Sequence, residues 1–146
     1  MNNETVYKSI IKKFLGYDVR VVQVDKRKEY IICRDMFDIL GLVDEDGTWT
    51  RPKNKMLKFL DGMGERESLK TLQVLLKQGK AKVTKEVDCI NIEIAPIVLT
   101  QFQPTKRRGE EVFKRWYEFM KFVNALLEYH DLHKYIINDK EKQKNL

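Results

Sequence analysis

Clusters of Lys and Arg residues are the features of this sequence that suit binding of an anion. The segment TKRRGEEVFKRW places Lys106, Arg107 and Arg108 just before a helix that adds Lys114 and Arg115. Guanidinium groups form paired hydrogen bonds with phosphate oxygens, and the start of a helix attracts anions. Together these side chains suit contact with a nucleic-acid backbone. The alternative interpretation is a core helix whose charges are simply solvated.

A second cation cluster lies in the segment TWTRPKNKMLKFL. Thr50 suits a helix N-cap and Pro52 suits the first turn, so a helix is expected to begin here. Its core-facing residues are predicted to be Met56, Leu57, Phe59 and Leu60. The remaining face carries the candidates for nucleic-acid contact, which are Arg51, Lys53, Asn54, Lys55 and Lys58. A solvated helix face with Trp49 at the core edge is the competing interpretation.

A third cluster, Lys26, Arg27 and Lys28, is expected at the tip of a hairpin. Basic hairpin tips can follow a nucleic-acid backbone, but a solvated turn explains the same residues. The chain as a whole holds 28 Lys and Arg against 22 Asp and Glu, a net charge of +6. This excess favours a polyanionic partner without requiring one.

The sequence also bears on the cellular location of the protein. No apolar run reaches the roughly 18 residues that a membrane-spanning helix needs, and residues 1–19 lack the pattern of a signal peptide. We therefore expect a cytoplasmic protein with no membrane partner. Cys33 and Cys89 stand in apolar surroundings without CxxC spacing. They are predicted to be buried free thiols, with a disulfide as the alternative.

Catalytic chemistry finds little support in the sequence. His130 and His133 stand near the predicted end of the long helix beside Glu128 and Asp131, but no further metal ligands follow a known spacing. A histidine interacting with the helix C-terminal dipole is the expected role. The chain lacks a Gly-rich phosphate loop, a partnered nucleophilic Cys and a calcium loop around Asp44. We expect no enzyme activity, no cofactor and no metal.

Hydrophobic periodicity predicts an α+β fold with a small antiparallel sheet, several helices and a long C-terminal amphipathic helix. Helices are predicted over residues 4–15 and 35–40, from Thr50, from near Pro96, and over residues 110–130. Strands are predicted over residues 17–24, 29–32, 69–76, 80–87 and 90–94. Residues 61–68 are predicted to be a loop. One domain is expected over residues 1–130, followed by a frayed polar tail, residues 131–146.

Three ordered blocks, EYIICRDMFDILGL, INIEIAPIVLTQF and TKRRGEEVFKRWYEFMKFV, carry a family resemblance. Their matching residues are Tyr30, Asp35, Leu40, Gly41, Asn91, Glu93, Ile97, Phe113 and Trp116. In order and spacing, residues 15–128 resemble the Bro-N domain, which occurs in phage antirepressors and in Bro proteins of large DNA viruses. One departure is Ala95-Pro96-Ile97, which stands where family members usually have Gly and an aromatic residue.

The resemblance implies binding to double-stranded DNA and phage-type regulation, as an antirepressor or a transcriptional regulator. Many family members also carry a C-terminal effector domain. No such domain is recognised in this sequence, so we expect a stand-alone copy of the Bro-N domain. That expectation leaves room for a rival function, a small phage inhibitor of a host protein such as a repressor or an anti-phage defence nuclease. Its contact surface would be the acidic loop Asp44, Glu45 and Asp46, or the aromatics of the long helix. A homodimer through that helix is a third possibility.

Overall fold

The structure is a computed structural model that describes residues 5–25 and 27–144, with side chains through Asp131 except that of Gln78. Its strands are β1 (Val6–Phe14), β2 (Tyr17–Asp25), β3 (Lys28–Ile32), β4 (Leu69–Gln78) and β5 (Ala81–Asn91). Its helices are α1 (Cys33–Ile39), α2 (Thr50–Met63), α3 (Ala95–Thr100) and α4 (Glu110–Lys144). This content confirms the predicted α+β class with a long C-terminal helix.

The five strands close on themselves in the order β1-β2-β3-β5-β4. Within the described residues, the pairings are antiparallel except that of β1 with β4, where residues 6–8 run parallel to residues 73–75. One face of the sheet buries a cluster made only of strand residues, Val22, Tyr30, Ile32, Val74, Leu76 and Cys89. Alternate positions such as Val21 and Ile31 belong to the second core, which the helices cover.

The helix predicted over residues 4–15 is wrong, because this segment is β1. Leu15 and Gly16 both have positive φ, 45° and 86°, and they join β1 to β2 with Phe14 opposite Tyr17. Two positive φ values in a two-residue loop match the turn that the twist of a β-hairpin favours. The helical spacing of Val6 and Ile10 was therefore misleading, and pairing with β2 and β4 decides the structure.

Other predicted boundaries also shift. Thr50 is the first residue of α2 rather than its N-cap, a position that Trp49 occupies. The predicted loop over residues 61–68 begins late, since α2 continues to Met63 and ends at Gly64. The separate strand predicted over residues 90–94 is wrong, because Ile90 and Asn91 complete β5 and the chain then turns into α3.

Helix α4 packs on the helix-covered core as predicted, with Trp116, Phe119 and Val123 buried. The spacing of Phe113, Trp116, Met120 and Val123 predicts one apolar stripe along this helix. Phe113 is nevertheless 41% exposed. The predicted polar tail over residues 131–146 lies, apart from Asp131 and the backbone of α4, outside the described residues. Among the helices that are described, none has both the length and the apolar character to cross a bilayer.

A partly buried ion pair fixes α1 against the sheet. The Asp35 carboxylate accepts hydrogen bonds from the Arg20 backbone N–H at 2.9 Å and from its guanidinium at 2.9 and 2.7 Å. These bonds raise the pKa of Arg20. At the start of the predicted helix, Asp35 suits either the N-cap or the first turn. It lies in the first turn of α1, where the helix dipole favours negative charge.

We expect Asp35→Asn to lower the free energy of unfolding by about 2–3 kcal/mol, because it weakens charge-assisted hydrogen bonds in a partly buried site. The matched control is Asp18→Asn, which breaks the exposed pair with Lys13 and should cost less than about 1 kcal/mol. Urea denaturation measures both values. Equal losses in the two variants would show that the Arg20–Asp35 pair does not fix α1.

Candidate nucleic-acid interface

Two arginine side chains meet at the C-terminal end of α1. The Arg108 guanidinium donates to the carbonyl oxygens of Leu40 at 3.4 Å and of Gly41 at 3.3 Å. A Cβ atom placed on Gly41 would lie 3.2 Å from a terminal guanidinium nitrogen of Arg108 and 3.2 Å from one of Arg115. Both groups therefore approach the same point, and we call them the arginine pair.

The backbone around residues 106–110 positions the first of these side chains. Lys106–Arg108 forms a short 3-10 turn, and Gly109 follows it with a φ of 95°. Glu110 then begins α4, whose first turn includes the hydrogen bond from the Phe113 N–H to the Gly109 carbonyl oxygen at 3.3 Å. Glycine adopts such a positive φ readily because it has no side chain. Gly109 therefore allows the chain to pass directly from the 3-10 turn at residues 106–108 into α4.

No described carboxylate balances the positive charge of the arginine pair. Within residues 5–25 and 27–131, no carboxylate forms a salt bridge with Arg108 or Arg115. The carbonyl groups at the end of α1 offset part of the repulsion between the two cations. An anion with several acceptor oxygens, such as a phosphate, would offset the rest through paired hydrogen bonds.

Further cations surround the pair. Lys106, Arg107 and Lys114, all predicted as contacts, are exposed. Glu110 and Glu111 lie in the first turn of α4, so residues 106–115 hold five cations and two acids. The local excess over residues 106–115 is positive, and within it the structure brings Arg108 and Arg115 together at Gly41.

The α2 cluster is only partly available for contact. Lys53 forms an ion pair with Asp88 at 2.8 Å, and its Nζ lies 5.4 Å from the centre of the Trp49 ring. The Lys55 Nζ lies 5.0 Å from the centre of the Phe102 ring. The members that are exposed and make none of these contacts are Arg51, Asn54 and Lys58.

Aromatic packing joins the segments that precede the two clusters. Phe37 of α1 stacks on Trp49, with ring centres 5.3 Å apart, and meets Phe102 edge-on at 5.0 Å. Trp49 precedes α2, and Phe102 lies four residues before the 3-10 turn at residues 106–108. Both segments are therefore attached to α1 through the same aromatic ring.

A further group of cations, not singled out from the sequence, lies at the tip of the β4–β5 hairpin. Lys77 pairs directly opposite Lys82, and Lys80 lies in the turn between them. Like charges opposite one another destabilise a hairpin, so this tip also favours an anionic neighbour. With Lys8 and Lys13 of β1, it borders a groove of about 750 Å³. The available signal was the run KQGKAK, which contains no acid.

The predicted cluster at the β2–β3 tip has an acidic residue beside its described cations. Lys26 lies outside the described residues. The Arg27 backbone N–H donates to the Asp25 carboxylate at 2.8 Å, and Lys28 pairs opposite Asp25 in the sheet. An acid therefore sits within this turn, and the solvated-turn interpretation fits its geometry better.

Cys33 and Cys89 are buried free thiols, as predicted. Burial raises the pKa of both, that of Cys89 to about 12. Because the thiolate is the nucleophilic form, both remain protonated and unreactive at neutral pH.

His130 does not lie at the end of its helix, because α4 continues to Lys144. It is buried, with Nδ1 3.5 Å from a Glu29 carboxylate oxygen and Nε2 3.6 Å from one of Glu93. The predicted interaction with the C-terminal dipole is therefore wrong. His133, the other member of the predicted pair, has a side chain outside the described set.

Comparisons with known proteins found no matching family model, curated protein or solved structure. The resemblance to the Bro-N domain accordingly stays a prediction from the sequence.

A pair of glycine variants tests whether the arginine pair depends on Gly41. Gly41 and Gly64 both follow helices with similar φ, 71° and 69°, but no described atom comes within 4 Å of a Cβ at Gly64. Alanine at either position should cost about 1–2 kcal/mol of stability from the left-handed backbone alone. Only Gly41→Ala should also displace Arg108 and Arg115.

Two-dimensional NMR of the arginine Nε–Hε groups measures that displacement, with urea denaturation for the stability. Shifts of Arg108 and Arg115 in Gly41→Ala, but not in Gly64→Ala, are expected. Unchanged arginine signals in Gly41→Ala would mean that the two side chains do not meet at this position.

Proposed function

We propose that this chain is a phage-type DNA-binding regulatory protein, an antirepressor or a transcriptional regulator, that acts in the host cytoplasm without catalysis. The observation that carries the proposal is the arginine pair. Arg108 and Arg115 converge without a carboxylate partner in the part of the chain that the structure describes. Lys106, Arg107 and Lys114, which are close to the pair in sequence, are exposed and supply further positive charge.

The mechanism follows from the charge of the DNA backbone. A phosphate would take paired hydrogen bonds from the arginine pair, and the flanking cations would displace counterions from neighbouring phosphates. These contacts would supply affinity and orientation but no sequence discrimination. Base reading would fall to the exposed side chains of α2, where Asn54 suits adenine and Arg51 suits guanine.

A host-protein inhibitor is the second candidate, and exposed aromatic surface on α4 favours it. Phe113 and Tyr117 stand four residues apart, so they share one helix face, and they are 41% and 50% exposed. Aromatic residues are enriched at protein interfaces. The same face would also serve a homodimer. These residues are adjacent in sequence to the basic cluster, so the two candidates must be separated by variants that change charge alone.

Fluorescence anisotropy of a labelled duplex, titrated at several salt concentrations, tests the proposal. The logarithm of the association constant should fall linearly with the logarithm of salt concentration. In the double variant Arg108→Gln, Arg115→Gln, binding should weaken and the slope should decrease by about 1, because contact with the shared phosphate is lost. The control Lys121→Gln removes a cation from α4 that pairs with Glu118, and it should bind nearly as the unmodified chain does.

Two outcomes would contradict DNA binding at this surface. The first is no anisotropy change at low salt. The second is equal affinity and equal slope in the double arginine variant and in Lys121→Gln. Either result would leave the host-protein interpretation as the better one, and Phe113→Ser with Tyr117→Ser would then be the variants to test against a candidate host partner.

A further inference from the structure

Side chains from two distant parts of the sequence meet beside α4. Glu93, His130 and Asp131 each offer one ligand atom, and these atoms all lie within 4.8 Å of one another. Glu93 belongs to the turn between β5 and α3, and the other two belong to α4. This cluster shares no residue with the arginine pair or with the basic surfaces around it.

The buried histidine is the observation that points to a ligand. Its side chain is only 2% exposed, and its Nε2 atom has no hydrogen-bond partner among the described residues. Leaving a buried polar atom without a partner is costly, so such an atom in a native fold calls for an explanation. Nε2 faces the Glu93 carboxylate, 3.6 Å from its nearest oxygen.

That separation is too long for a good hydrogen bond but suits two ligands of one ion. Zinc binds His nitrogen and carboxylate oxygen at about 2.0–2.2 Å, which places neighbouring ligands of a tetrahedral site about 3.3–3.5 Å apart. The observed distance of 3.6 Å is close to this value. Small side-chain adjustments would bring both atoms onto an ion between them.

The backbone holds the carboxylates in place. The Glu93 N–H donates to the Asn91 side-chain oxygen at 2.9 Å, and the Ile94 N–H donates to the Asn91 carbonyl oxygen at 3.0 Å. The Ile92 N–H donates to the Glu29 carbonyl oxygen at 3.0 Å, so this turn is attached to β3. Glu93 and Glu29 are thereby fixed on neighbouring segments.

Glu29 occupies the position of a supporting carboxylate. One of its oxygens lies 3.5 Å from Nδ1 of His130, the ring nitrogen opposite the one that faces Glu93. Metal-bound histidines usually donate their second ring N–H to a carboxylate or carbonyl, which fixes the tautomer and ring orientation. Glu29 would make Nδ1 the protonated nitrogen and leave Nε2 free to bind a metal ion.

We infer that Glu93, His130 and Asp131 form a binding site for a divalent transition-metal ion of the zinc class, with Glu29 as a positioning residue. The donor set is one imidazole nitrogen and two carboxylate oxygens, which zinc accepts. Glu93 is 46% exposed and Asp131 is exposed, so an ion can enter from solvent. Three protein ligands leave one position of a tetrahedral ion for water or for an added partner group.

Isothermal titration of the metal-free full chain with zinc chloride tests this inference, and cobalt(II) absorption reports the ligand geometry. We expect a single strong site, and Co²⁺ bound there should show the visible bands of tetrahedral coordination. Glu93→Gln and Asp131→Asn change exposed residues with little change in shape, and each should weaken zinc binding by at least about 10-fold. Glu29→Gln should weaken it by about 10–100-fold, as expected of a group that orients a ligand.

The matched control is Glu128→Gln, an exposed acid on the same helix outside the cluster. It should bind zinc as the unmodified chain does, and circular dichroism should show all variants folded. The inference is overturned if the full chain binds no zinc at 100 micromolar protein. It is equally overturned if Glu93→Gln and Asp131→Asn bind as tightly as Glu128→Gln does. His130 would then simply pack between Glu29 and Glu93 without a metal ion.

Discussion

The packing of α4 on the core is the constraint on which both sites depend. The Trp116 indole N–H donates to the Leu99 carbonyl oxygen at 2.9 Å in a buried position, and this bond joins α4 to α3. Phe119 and Val123, fully buried, continue the contact along the helix. Because the bond sets both the rotation and the axial position of α4, it determines where Arg115 and His130 point. A rotated α4 would separate Arg115 from Gly41 and His130 from its glutamates at once.

The two sites are nevertheless independent in electrostatic terms. Arg115 and His130 are separated by fifteen residues of helix, or about 22 Å along its axis. That distance is well beyond the screening length of about 8 Å at physiological ionic strength. A metal ion at Glu93 would therefore neither neutralise nor strengthen the arginine pair directly. Its effect would be mechanical, because it would tie the turn after β5 to α4 and hold the helix against the sheet.

Features with a local cause could be predicted from the sequence, whereas features that need distant pairing could not. The β2–β3 hairpin, the helix near Pro96 and the start of α4 follow from turn residues and apolar periodicity, and all three were predicted. Strand β1 was missed because the spacing of Val6 and Ile10 fits a helix, while its strand structure depends on pairing with residues 73–75. The arginines were correct as candidates, but nothing local indicates that they meet at Gly41. His130 was misjudged for the same reason, since Glu29 and Glu93 lie far from it in sequence.

The most direct measurement is an NMR titration of the arginine Nε–Hε groups of the full chain with a short DNA duplex. If the arginine pair binds a DNA phosphate, the signals of Arg108 and Arg115 should shift together as DNA is added, because both contact the same phosphate. Arg66, which follows α2 and lies 3.9 Å from the Asp61 carboxylate, should stay unchanged. If the duplex binds while Arg108 and Arg115 do not respond, or if no arginine responds at low salt, the arginine pair is not a phosphate site.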